Sequence, residues 1–363
     1  MIRTALTIEQ LWHRVPGGTA TATLGLLDGL AARGDVAVVG VSAWHARPPN
    51  PAFRTNADIR HMWLPRLALY ESWHRLRVPR VQRATGHVHV VHATTLAIPP
   101  RSAPLVVTIH DLAFIDRPQD FTTRGMRLFT RGLELARRDA DVITVPSEAT
   151  RYDCIAHDFD DARIVVVPWG VTVPTTTSRP EVLDRFGLQK PFVLWTGTIE
   201  PRKNLPRLLD AFARVKGDVD LVLAGPVGWK EDIGDRIAAD ERIKTIGFVD
   251  AATLAALYAA TDAFCYPSLK EGFGLPVLEA MAQGAPVITS RGTSTEEVAG
   301  DAALLVDPVD VDSLAEALHQ VLDDRDLAAR LRTAGRSRAA TFTWERTAEL
   351  TMQAYRRAVE HAG

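Results

Sequence analysis

Residues Ala263–Ser290 read AFCYPSLKEGFGLPVLEAMAQGAPVITS, and this stretch predicts a strand, a loop, a helix and a second strand. The run AFCY is short, apolar and rich in aromatic residues, which is typical of a buried strand. Gly272 and Gly274 interrupt the pattern, and Pro276 suits the first turn of the helix that follows. The apolar run Pro286–Thr289 predicts the second strand. A β-α-β unit of this kind indicates a parallel sheet covered by helices.

The same alternation of short β-branched runs and longer helical segments continues in both directions. It stops at Val171–Pro180, VTVPTTTSRP, which lacks periodicity and predicts a linker. We therefore expect an α/β protein with two doubly wound, Rossmann-like domains, 1–172 and 181–343, facing each other across a cleft that holds the ligand. Other predicted strands are Val36–Val41, Val88–His92, Leu105–Ile109, Val142–Val145, Ile164–Val167, Phe192–Thr196, Leu221–Ala224, Ile243–Ile246 and Leu304–Val306; predicted helices include Ala20–Ala32, Thr122–Arg138 and Glu148–His157.

Size and composition support two domains in a soluble protein. The chain has 363 residues, and single cores usually stop growing near about 250–300 residues. Hydrophobic residues make up 46% and charged residues 24%, and no apolar run is long enough to predict a membrane span. The net charge of −2 argues against attraction of the whole surface to nucleic acid. Two cysteines cannot form a disulfide framework, and no signal-peptide core is seen, so we expect a cytoplasmic location.

Positive charge is concentrated in the first half of the chain. Residues 1–180 contain 21 Arg, no Lys and 16 acidic side chains, whereas residues 181–363 contain 21 basic and 28 acidic side chains. The arginines form two groups, Arg75, Arg77, Arg80 and Arg83, and Arg124, Arg127, Arg131, Arg137 and Arg138. One interpretation is a solvated helix face. The other is peripheral contact with anionic lipid at the inner face of the membrane, or with an anionic acceptor.

Several common catalytic motifs are absent from the sequence. No G-x-G-x-x-G follows the first strand and no lysine fits a Walker A loop, which disfavours a dehydrogenase and a P-loop NTPase. His87 and His89 are placed on one strand face, but no carboxylate or cysteine stands at a matching spacing. A half-exposed strand explains them better than a metal, and we expect no metal site.

Two carboxylates and the glycines between them form the strongest candidate ligand site. Glu271 precedes the predicted helix and Glu279 lies inside it. Each carboxylate can accept hydrogen bonds from paired hydroxyls, and the helix start between them offers amides that suit a phosphate. A diphosphate-linked sugar carries such hydroxyl pairs at both ends, on the hexose and on the ribose. The alternative is structural, with Glu271 as a helix cap and Glu279 as a solvated helix residue.

Two adjacent cations, Arg202 and Lys203, lie in the segment Trp195–Asn204, WTGTIEPRKN, which follows a predicted strand. A departing diphosphate carries concentrated negative charge, and two fixed cations can stabilise it without a metal. The alternative is a pair of exposed charges near the start of the next helix.

Two loops of the first domain contain further candidates. His110 and Asp111, in LVVTIHDLAF, fall where a strand should end. The imidazole could bond a sugar hydroxyl or a phosphate, while Asp111 either orients that ring or holds the loop. His92 stands at another strand end. Gly17 and Gly18, in VPGG after the first strand, suit a backbone that approaches phosphate, although a tight turn explains them equally well.

The order of these segments resembles the family 4 glycosyltransferases, which have the GT-B fold. The resemblance runs through PGG, HDLAF, VPSEATR, GTIEPRKN, GPVGWK, IGFVD, YPSLKEGFGLPVLEAMAQGAPVITS, GDAALLVDP and FTWERTAELTMQAYRRA. EGFGLPVLEAM matches the family's E-x7-E signature. HDLAF, GPVGWK and YPSLKEGFGLP are most similar to bacterial mannosyltransferases that use GDP-mannose. One departure is Trp169, where relatives commonly carry Asn.

The resemblance implies a retaining hexosyltransferase. Its nucleotide-sugar donor would bind the C-terminal domain, and a glycan or lipid-linked acceptor would bind the N-terminal domain. GDP-mannose is the favoured donor, a UDP- or dTDP-sugar stays open, and no cofactor or metal is required. The closing helix, 344–363, is expected to return to the N-terminal domain.

The resemblance also implies roles for individual residues. Arg202 and Lys203 would hold the diphosphate, Glu271 the donor hexose and Glu279 the ribose. His110 would lie beside the reacting sugar. The other positions expected to bind the donor are Gly17, Gly18, Thr198, Val249, Gly272, Phe273, Gly274 and Leu275, and those on the acceptor side are His92 and Asp111.

Two other functions stay open at this point. A nucleotide-sugar epimerase can share the two-domain architecture, but it needs acids and bases around the hexose and no acceptor site. A non-catalytic binder would hold the donor without turnover. The Arg202–Lys203 pair together with Glu271 and Glu279 favours transfer, because these groups match a departing diphosphate.

Overall fold

The computed structural model describes residues 1–13, 17–174, 178–226 and 233–362. The chain divides into two compact units, which we call the N-terminal unit (Met1–Gly170 with Thr343–Gly363) and the C-terminal unit (Val171–Phe342). Each contains one sheet whose inner strands are buried, and this explains why those strands read as continuous apolar runs rather than as alternating ones. In the described ranges, no helix is long and apolar enough to cross a bilayer.

Thirteen strands and fifteen α-helices are described along the chain. The strands are β1 (Ile2–Thr7), β2 (Val36–Trp44), β3 (Asp58–Pro65), β4 (Val90–Ala93), β5 (Leu105–Thr108), β6 (Val142–Val145), β7 (Ile164–Val166), β8 (Phe192–Thr196), β9 (Asp220–Ala224), β10 (Ile243–Gly247), β11 (Ala263–Tyr266), β12 (Val287–Ser290) and β13 (Leu304–Val306). The helices are α1 (Gly17–Ala31), α2 (Arg66–Glu71), α3 (Gln82–Thr85), α4 (Ala113–Asp116), α5 (Thr123–Asp139), α6 (Glu148–Ala156), α7 (Arg179–Phe186), α8 (Leu205–Phe212), α9 (Gly234–Ala238), α10 (Ala251–Ala260), α11 (Leu275–Gln283), α12 (Ser294–Ala299), α13 (Val311–Asp323), α14 (Arg325–Ala339) and α15 (Trp344–Ala362).

Both sheets are parallel and reverse their strand order once. The N-terminal sheet has the order β3-β2-β1-β4-β5-β6-β7, and the C-terminal sheet has the order β10-β9-β8-β11-β12-β13. The reversals fall between β1 and β4 and between β8 and β11. Loops diverge there, so in doubly wound sheets the crevice outside the carboxyl ends at this point is the usual ligand site.

The closing helix α15 belongs to the N-terminal unit and packs against α1. A Cβ atom at Gly25 would lie 2.1 Å from the Trp344 ring, and one at Gly29 would lie 2.5 Å from the Trp344 carbonyl oxygen. Glycine at both positions therefore lets the two helices approach closely. The buried Tyr355 anchors the far part of α15. The prediction that this helix returns to the N-terminal domain is consistent with this arrangement.

Two local features differ from the sequence-based expectations. No strand is predicted over Asp58–Pro65, because its polar residues leave no continuous apolar run. In the structure these residues form the edge strand β3, which pairs with β2 and keeps many of its side chains in solvent. The predicted linker Val171–Pro180 is too long, since α7 begins at Arg179 with Pro180 in its first turn. Thr175–Thr177, inside that predicted linker, lie outside the described residues.

Candidate functional site

The loops after β8 and β11 carry the candidate site of the C-terminal unit. These strands are neighbours in the sheet and stand on either side of its reversal point. The loop after β8 forms a short 3-10 helix, Pro201–Lys203, and the loop after β11 leads through Glu271 to the start of α11. Residues that are 68 positions apart in sequence are thereby brought into contact.

Four donors surround the carboxylate of Glu271, whose side chain is 9% exposed. Its Oε1 accepts hydrogen bonds from Lys203 Nζ at 2.6 Å, from the Tyr266 hydroxyl at 2.9 Å and from Ser268 Oγ at 2.8 Å. Its Oε2 lies 2.9 Å from Arg202 Nη1. Within the described residues Oε2 has no second partner, so it keeps room for one ligand hydroxyl. We expected the Glu271 carboxylate to accept hydrogen bonds from paired hydroxyls. In this structure only its Oε2 has room for a ligand hydroxyl.

A second carboxylate completes the charge balance around the two cations. Arg202 Nε lies 2.8 Å from Glu200 Oε1, and Glu200 is buried. Burial alone would raise the pKa of Glu271, but Arg202 and Lys203 outweigh it and lower that pKa to about 2. Burial and the neighbouring Arg202 lower the pKa of Lys203. The cluster thus holds two cations beside two carboxylates.

Hydrogen bonds to backbone carbonyl oxygens hold the two loops in place. Asn204 adopts a left-handed conformation with φ of 60°, and its Nδ2 donates to the carbonyl oxygens of Pro267 at 2.9 Å and Pro308 at 2.6 Å. The backbone N–H of Leu269 donates to the carbonyl oxygen of Arg202 at 2.8 Å. The cations are therefore positioned by the fold itself, and preorganised charges stabilise a developing anion without the cost of reorienting.

The start of α11 packs closely against α12. Gly274 has φ of +105°, and a Cβ atom there would lie 2.7 Å from Thr295 Cγ2, so both conformation and space require glycine. Ser294 Oγ donates to the carbonyl oxygen of Glu271 at 2.7 Å. Helix α11 begins at Leu275 with Pro276 in its first turn. Pro276 has no N–H and the N–H of Val277 donates to the carbonyl oxygen of Gly274 at 2.9 Å, so the N–H of Leu275 is the first-turn amide that suits a phosphate.

Glu279 has a different environment from Glu271. It is partly buried on α11, and its closest polar contact is the Tyr258 hydroxyl, 3.4 Å from Oε2. Tyr258 also lies 3.1 Å from Thr196 Oγ1 at the end of β8. Burial raises the pKa of Glu279 to about 7. A carboxylate without strong donors is available to accept the hydrogen bonds of paired hydroxyls.

We expect a Glu279→Gln variant to be more stable than wild type above neutral pH. The carboxyl has a pKa of about 7 in the folded chain, against an ordinary value of 4.5. The folded chain therefore binds the proton more tightly than the unfolded chain, and the free energy of unfolding falls as the pH rises from 4.5 to about 7. Glutamine removes that loss, which is worth roughly 1–3 kcal/mol. Denaturant unfolding at acidic and alkaline pH measures the difference. An equal effect at both pH values would contradict the prediction, and the exposed Glu316→Gln is the control.

In the N-terminal unit, His110 is held as a neutral ring. Its Nε2 lies 2.7 Å from the carbonyl oxygen of Thr94, which can only accept, so Nε2 carries the hydrogen. Nδ1 is buried and has no hydrogen-bond partner in the part of the chain that the structure describes. Burial lowers the pKa of His110. A neutral acceptor nitrogen suits a hydroxyl better than a phosphate.

Two residues near His110 have other contacts. Of the two roles left open for Asp111, its contact supports the one in which it holds the loop: its Oδ1 accepts from the backbone N–H of Ala113 at 3.0 Å. His92 is 1% exposed, and its ring nitrogens bond Tyr355 at 2.9 Å and Thr108 at 2.8 Å. Burial lowers the pKa of His92 to about 3. His92 has no nitrogen left for an acceptor, so its expected acceptor-side role is wrong.

The remaining predicted positions are spread over several loops. Gly17 and Gly18 begin α1, while Val15 and Pro16 of the same motif lie outside the described residues, as do Val227–Lys230 of GPVGWK. Thr198 follows β8 and Val249 follows β10, and both are partly buried. Phe273 is buried against Phe342, with ring centroids 5.9 Å apart.

Three residues of the site were missed from the sequence. Glu200 stands two residues before Arg202, in GTIEPRK, and a carboxylate beside two cations is the signal that could have revealed it. Tyr266 and Ser268 belong to YPS, at the end of a strand that reads as purely structural. No group of three or more His, Cys, Asp or Glu that could hold a metal occurs among the residues described.

The sequence matches known protein families over most of its length. Residues 16–173 match the family described as Glycosyltransferase Family 4, and residues 183–338 match the one described as Glycosyl transferases group 1. O-antigen chain mannosyltransferase B of Escherichia coli is 32% identical over 282 residues, 74% of each chain. The chain belongs to glycosyltransferase family 4. The MMP alpha-(1->4)-mannosyltransferase of Mycolicibacterium hassiacum is also 32% identical, over 78% of this chain and 74% of that one.

Solved structures show the same fold. HepE of Anabaena in complex with UDP-glucose superposes with a TM-score of 0.76 at 19% identity, covering 97% of this chain and 99% of that one. The sucrose-phosphate synthase of Thermosynechococcus elongatus has a TM-score of 0.76 at 23% identity and covers 98% of both chains. The predicted GT-B fold and glycosyltransferase activity of this family 4 member are thereby confirmed, and transfer is favoured over epimerisation.

Proposed function

We propose that this family 4 glycosyltransferase transfers mannose, with retention, from GDP-mannose to a hydroxyl of a glycan or glycolipid. The cluster of Arg202, Lys203 and Glu271 at the reversal point of the C-terminal sheet carries the proposal. The sugar assignment is supported by the two relatives named as mannosyltransferases. HepE, whose complex contains UDP-glucose, keeps a UDP-sugar as the second candidate donor.

The contacts support a division of labour among the donor-binding groups. Arg202, 22% exposed at its side chain, would contact the diphosphate together with the first turn of α11. Lys203 is more deeply buried and bonds Glu271, so it acts by holding that carboxylate and adding positive charge. Glu271 Oε2 would accept a hydroxyl of the hexose, and Glu279 a hydroxyl of the ribose. The roles expected for Gly17, Gly18, His110, Thr198 and Val249 stay predictions.

The transfer step requires a leaving diphosphate and a proton acceptor. We propose that the departing phosphate oxygen takes the proton of the acceptor hydroxyl as the new glycosidic bond forms on the same face. The C–O bond to the diphosphate breaks, and Arg202 and the α11 amides stabilise the negative charge that develops on it.

A panel of GDP-, UDP- and dTDP-sugars in a thermal-shift assay tests the donor assignment. We expect GDP-mannose to raise the melting temperature most, and product analysis to show slow hydrolysis to mannose with an α-anomer formed first. Conversion of the donor sugar into its epimer would instead identify an epimerase. Binding without any hydrolysis or transfer would identify a non-catalytic binder.

We expect the activity to survive EDTA, because the fixed cations Arg202 and Lys203 can stabilise the departing diphosphate without a metal. Donor hydrolysis is measured before and after chelation, with a Mg²⁺-restored sample as control. Complete loss that Mg²⁺ or Mn²⁺ reverses would contradict this prediction.

We further propose a cytoplasmic protein that contacts an anionic membrane through Arg75–Arg83. Arg80 and Arg83 are exposed, Arg75 is exposed and pairs with the exposed Glu71 at 2.9 Å, and Leu76 and Val78 are 70% and 50% exposed. Such an apolar and cationic segment fits an anionic bilayer surface. Arg77 is excluded from this surface, because it is paired with the partly buried Asp139 at 2.7 Å.

Sedimentation with vesicles tests this contact. We expect the protein to bind phosphatidylcholine vesicles only when phosphatidylglycerol is added, and to lose binding in high salt. An Arg80→Glu/Arg83→Glu variant should bind less. Equal binding to neutral vesicles, or none to either kind, would contradict the proposal.

A further inference from the structure

Two exposed indoles lie toward the carboxyl ends of the neighbouring strands β2 and β3. Trp44 is 54% exposed and Trp63 is 68% exposed. The Cα of Trp44 pairs with that of Pro65, two residues beyond Trp63. The register of the pair shifts between Ser42 and Trp44, so Trp63 lies in the irregular part of the ladder, near Trp44 and two residues after His61, whose Nδ1 contacts Ser42. Because β3 is an edge strand, these two indoles border solvent.

A third indole, Trp12, contacts two imidazoles at the ends of these strands. Trp12 follows β1 in the 3-10 helix Glu9–Trp12. Its ring stacks on His45, with centroids 4.7 Å apart and planes 6° apart, and meets His61 edge-on at 5.8 Å. The ends of β1, β2 and β3 are thus joined by ring contacts. We call Trp12, Trp44, His45, His61 and Trp63 the indole platform.

A buried carboxylate fixes the platform. Glu9 has a side chain only 5% exposed, and its Oε2 accepts from the backbone N–H of Ala43 at 2.8 Å and lies 3.0 Å from His45 Nε2. His61 Nδ1 lies 2.7 Å from Ser42 Oγ. One nitrogen of each imidazole is therefore occupied. The other, His45 Nδ1 and His61 Nε2, has no hydrogen-bond partner within the residues described and can bond a ligand.

The chemistry of the platform matches a sugar ring. Flat apolar surfaces with unused hydrogen-bonding nitrogens between them suit a ligand with a C–H face and a rim of hydroxyls. The groups between the indoles are imidazoles and a buried carboxylate, whereas the segment Arg75–Arg83 offers guanidinium groups to anionic lipid. This contrast favours a neutral sugar on the platform over a bilayer. The carboxyl edge of a parallel sheet is also where ligands bind in such folds.

We propose that the indole platform binds a pyranose ring of the acceptor glycan. This inference rests on the proposed transfer function, since it assigns the acceptor to a place in the N-terminal unit. It also replaces His92, whose two ring nitrogens contact Tyr355 and Thr108.

Calorimetric titration without donor tests the platform separately from catalysis. The probes are an α-linked mannobiose, maltose and lactose. We expect mannobiose to bind wild type, and Trp63→Ala or Trp44→Ala to weaken that binding about tenfold, with Trp63→Phe close to wild type. The matched control is Tyr152→Ala, which removes a 64% exposed aromatic ring elsewhere in the N-terminal unit and should change nothing.

Donor hydrolysis separates this inference from the proposed function. The Trp63→Ala variant should raise the KM for mannobiose as acceptor about tenfold, whereas Tyr152→Ala, outside the platform, should change neither that KM nor the rate of GDP-mannose hydrolysis. Binding of none of the three sugars to wild type, or an unchanged KM in the variant, overturns the platform. A Trp63→Ala variant that loses binding to the anionic vesicles but binds mannobiose like wild type also overturns the platform. That result would assign these indoles to a membrane-binding face. Sugar binding with no donor turnover in wild type overturns the proposed function and leaves the platform standing.

Discussion

Replacing Arg202 by alanine is expected to lower kcat/KM by about 30- to 1000-fold, which corresponds to roughly 2–4 kcal/mol of lost transition-state stabilisation. Arg202 is held between Glu200 at 2.8 Å and Glu271 at 2.9 Å, at the reversal point of the sheet. A guanidinium fixed in this way does not have to reorient when the diphosphate departs. Most of the loss should therefore appear in kcat, since the group acts on charge that develops during the reaction.

The measurement is steady-state kinetics with GDP-mannose, with unfolding curves to confirm that the variant is folded. Arg236→Ala is the matched control, because Arg236 also pairs with a carboxylate of the C-terminal unit, Asp210, but is far more exposed at 40%. Arg202→Lys keeps the charge and loses the planar fork, so it should recover only part of the activity. Wild-type kcat/KM in Arg202→Ala would reject the assignment of this residue to the diphosphate.

A Glu271→Gln variant is expected to lose both stability and activity. Glutamine is nearly isosteric, but it leaves Lys203, which is 7% exposed, without its closest counter-charge. Removing one partner of a buried ion pair costs about 3–5 kcal/mol. Activity should fall by about 30- to 1000-fold as well, because the hexose loses its acceptor oxygen and the two cations lose their position.

A second variant separates the two effects of Glu271. Glu271→Gln/Lys203→Met removes both charges, so it should recover much of the stability while staying inactive. The pH dependence gives a further check: the pKa of Glu271 is about 2 against an ordinary 4.5, so its stabilisation is complete above 4.5 and is lost as the pH falls toward 2. Unchanged unfolding of Glu271→Gln at neutral pH would contradict the ion-pair account.

The fold could be predicted from the sequence because local pattern and global architecture agree in most segments. The runs Val142–Val145, Phe192–Thr196 and Leu304–Val306 read as buried strands and are strands with those bounds. Buried parallel strands must be apolar on both faces, which makes them easy to recognise. The edge strand β3 keeps many of its side chains in solvent, so it contains polar residues and lacks the apolar run that predicts a buried strand.

The site was predictable only to the level of which loops take part. The sequence places Arg202 and Glu271 each after a predicted strand, but it does not show that these strands are neighbours or that the two side chains contact each other. The same limit applies to His92, whose hydroxyl partner Tyr355 is 263 residues away. Glu9, His45 and Trp12 were also not recognised, because their association depends on three separate strand ends.

A crystal structure with bound GDP tests the central claim most directly. We predict that the diphosphate lies within hydrogen-bonding distance of Arg202 and of the Leu275 N–H at the start of α11, with the ribose hydroxyls on Glu279. A diphosphate bound away from Arg202 and the start of α11, with Glu279 facing no ribose, would contradict the account.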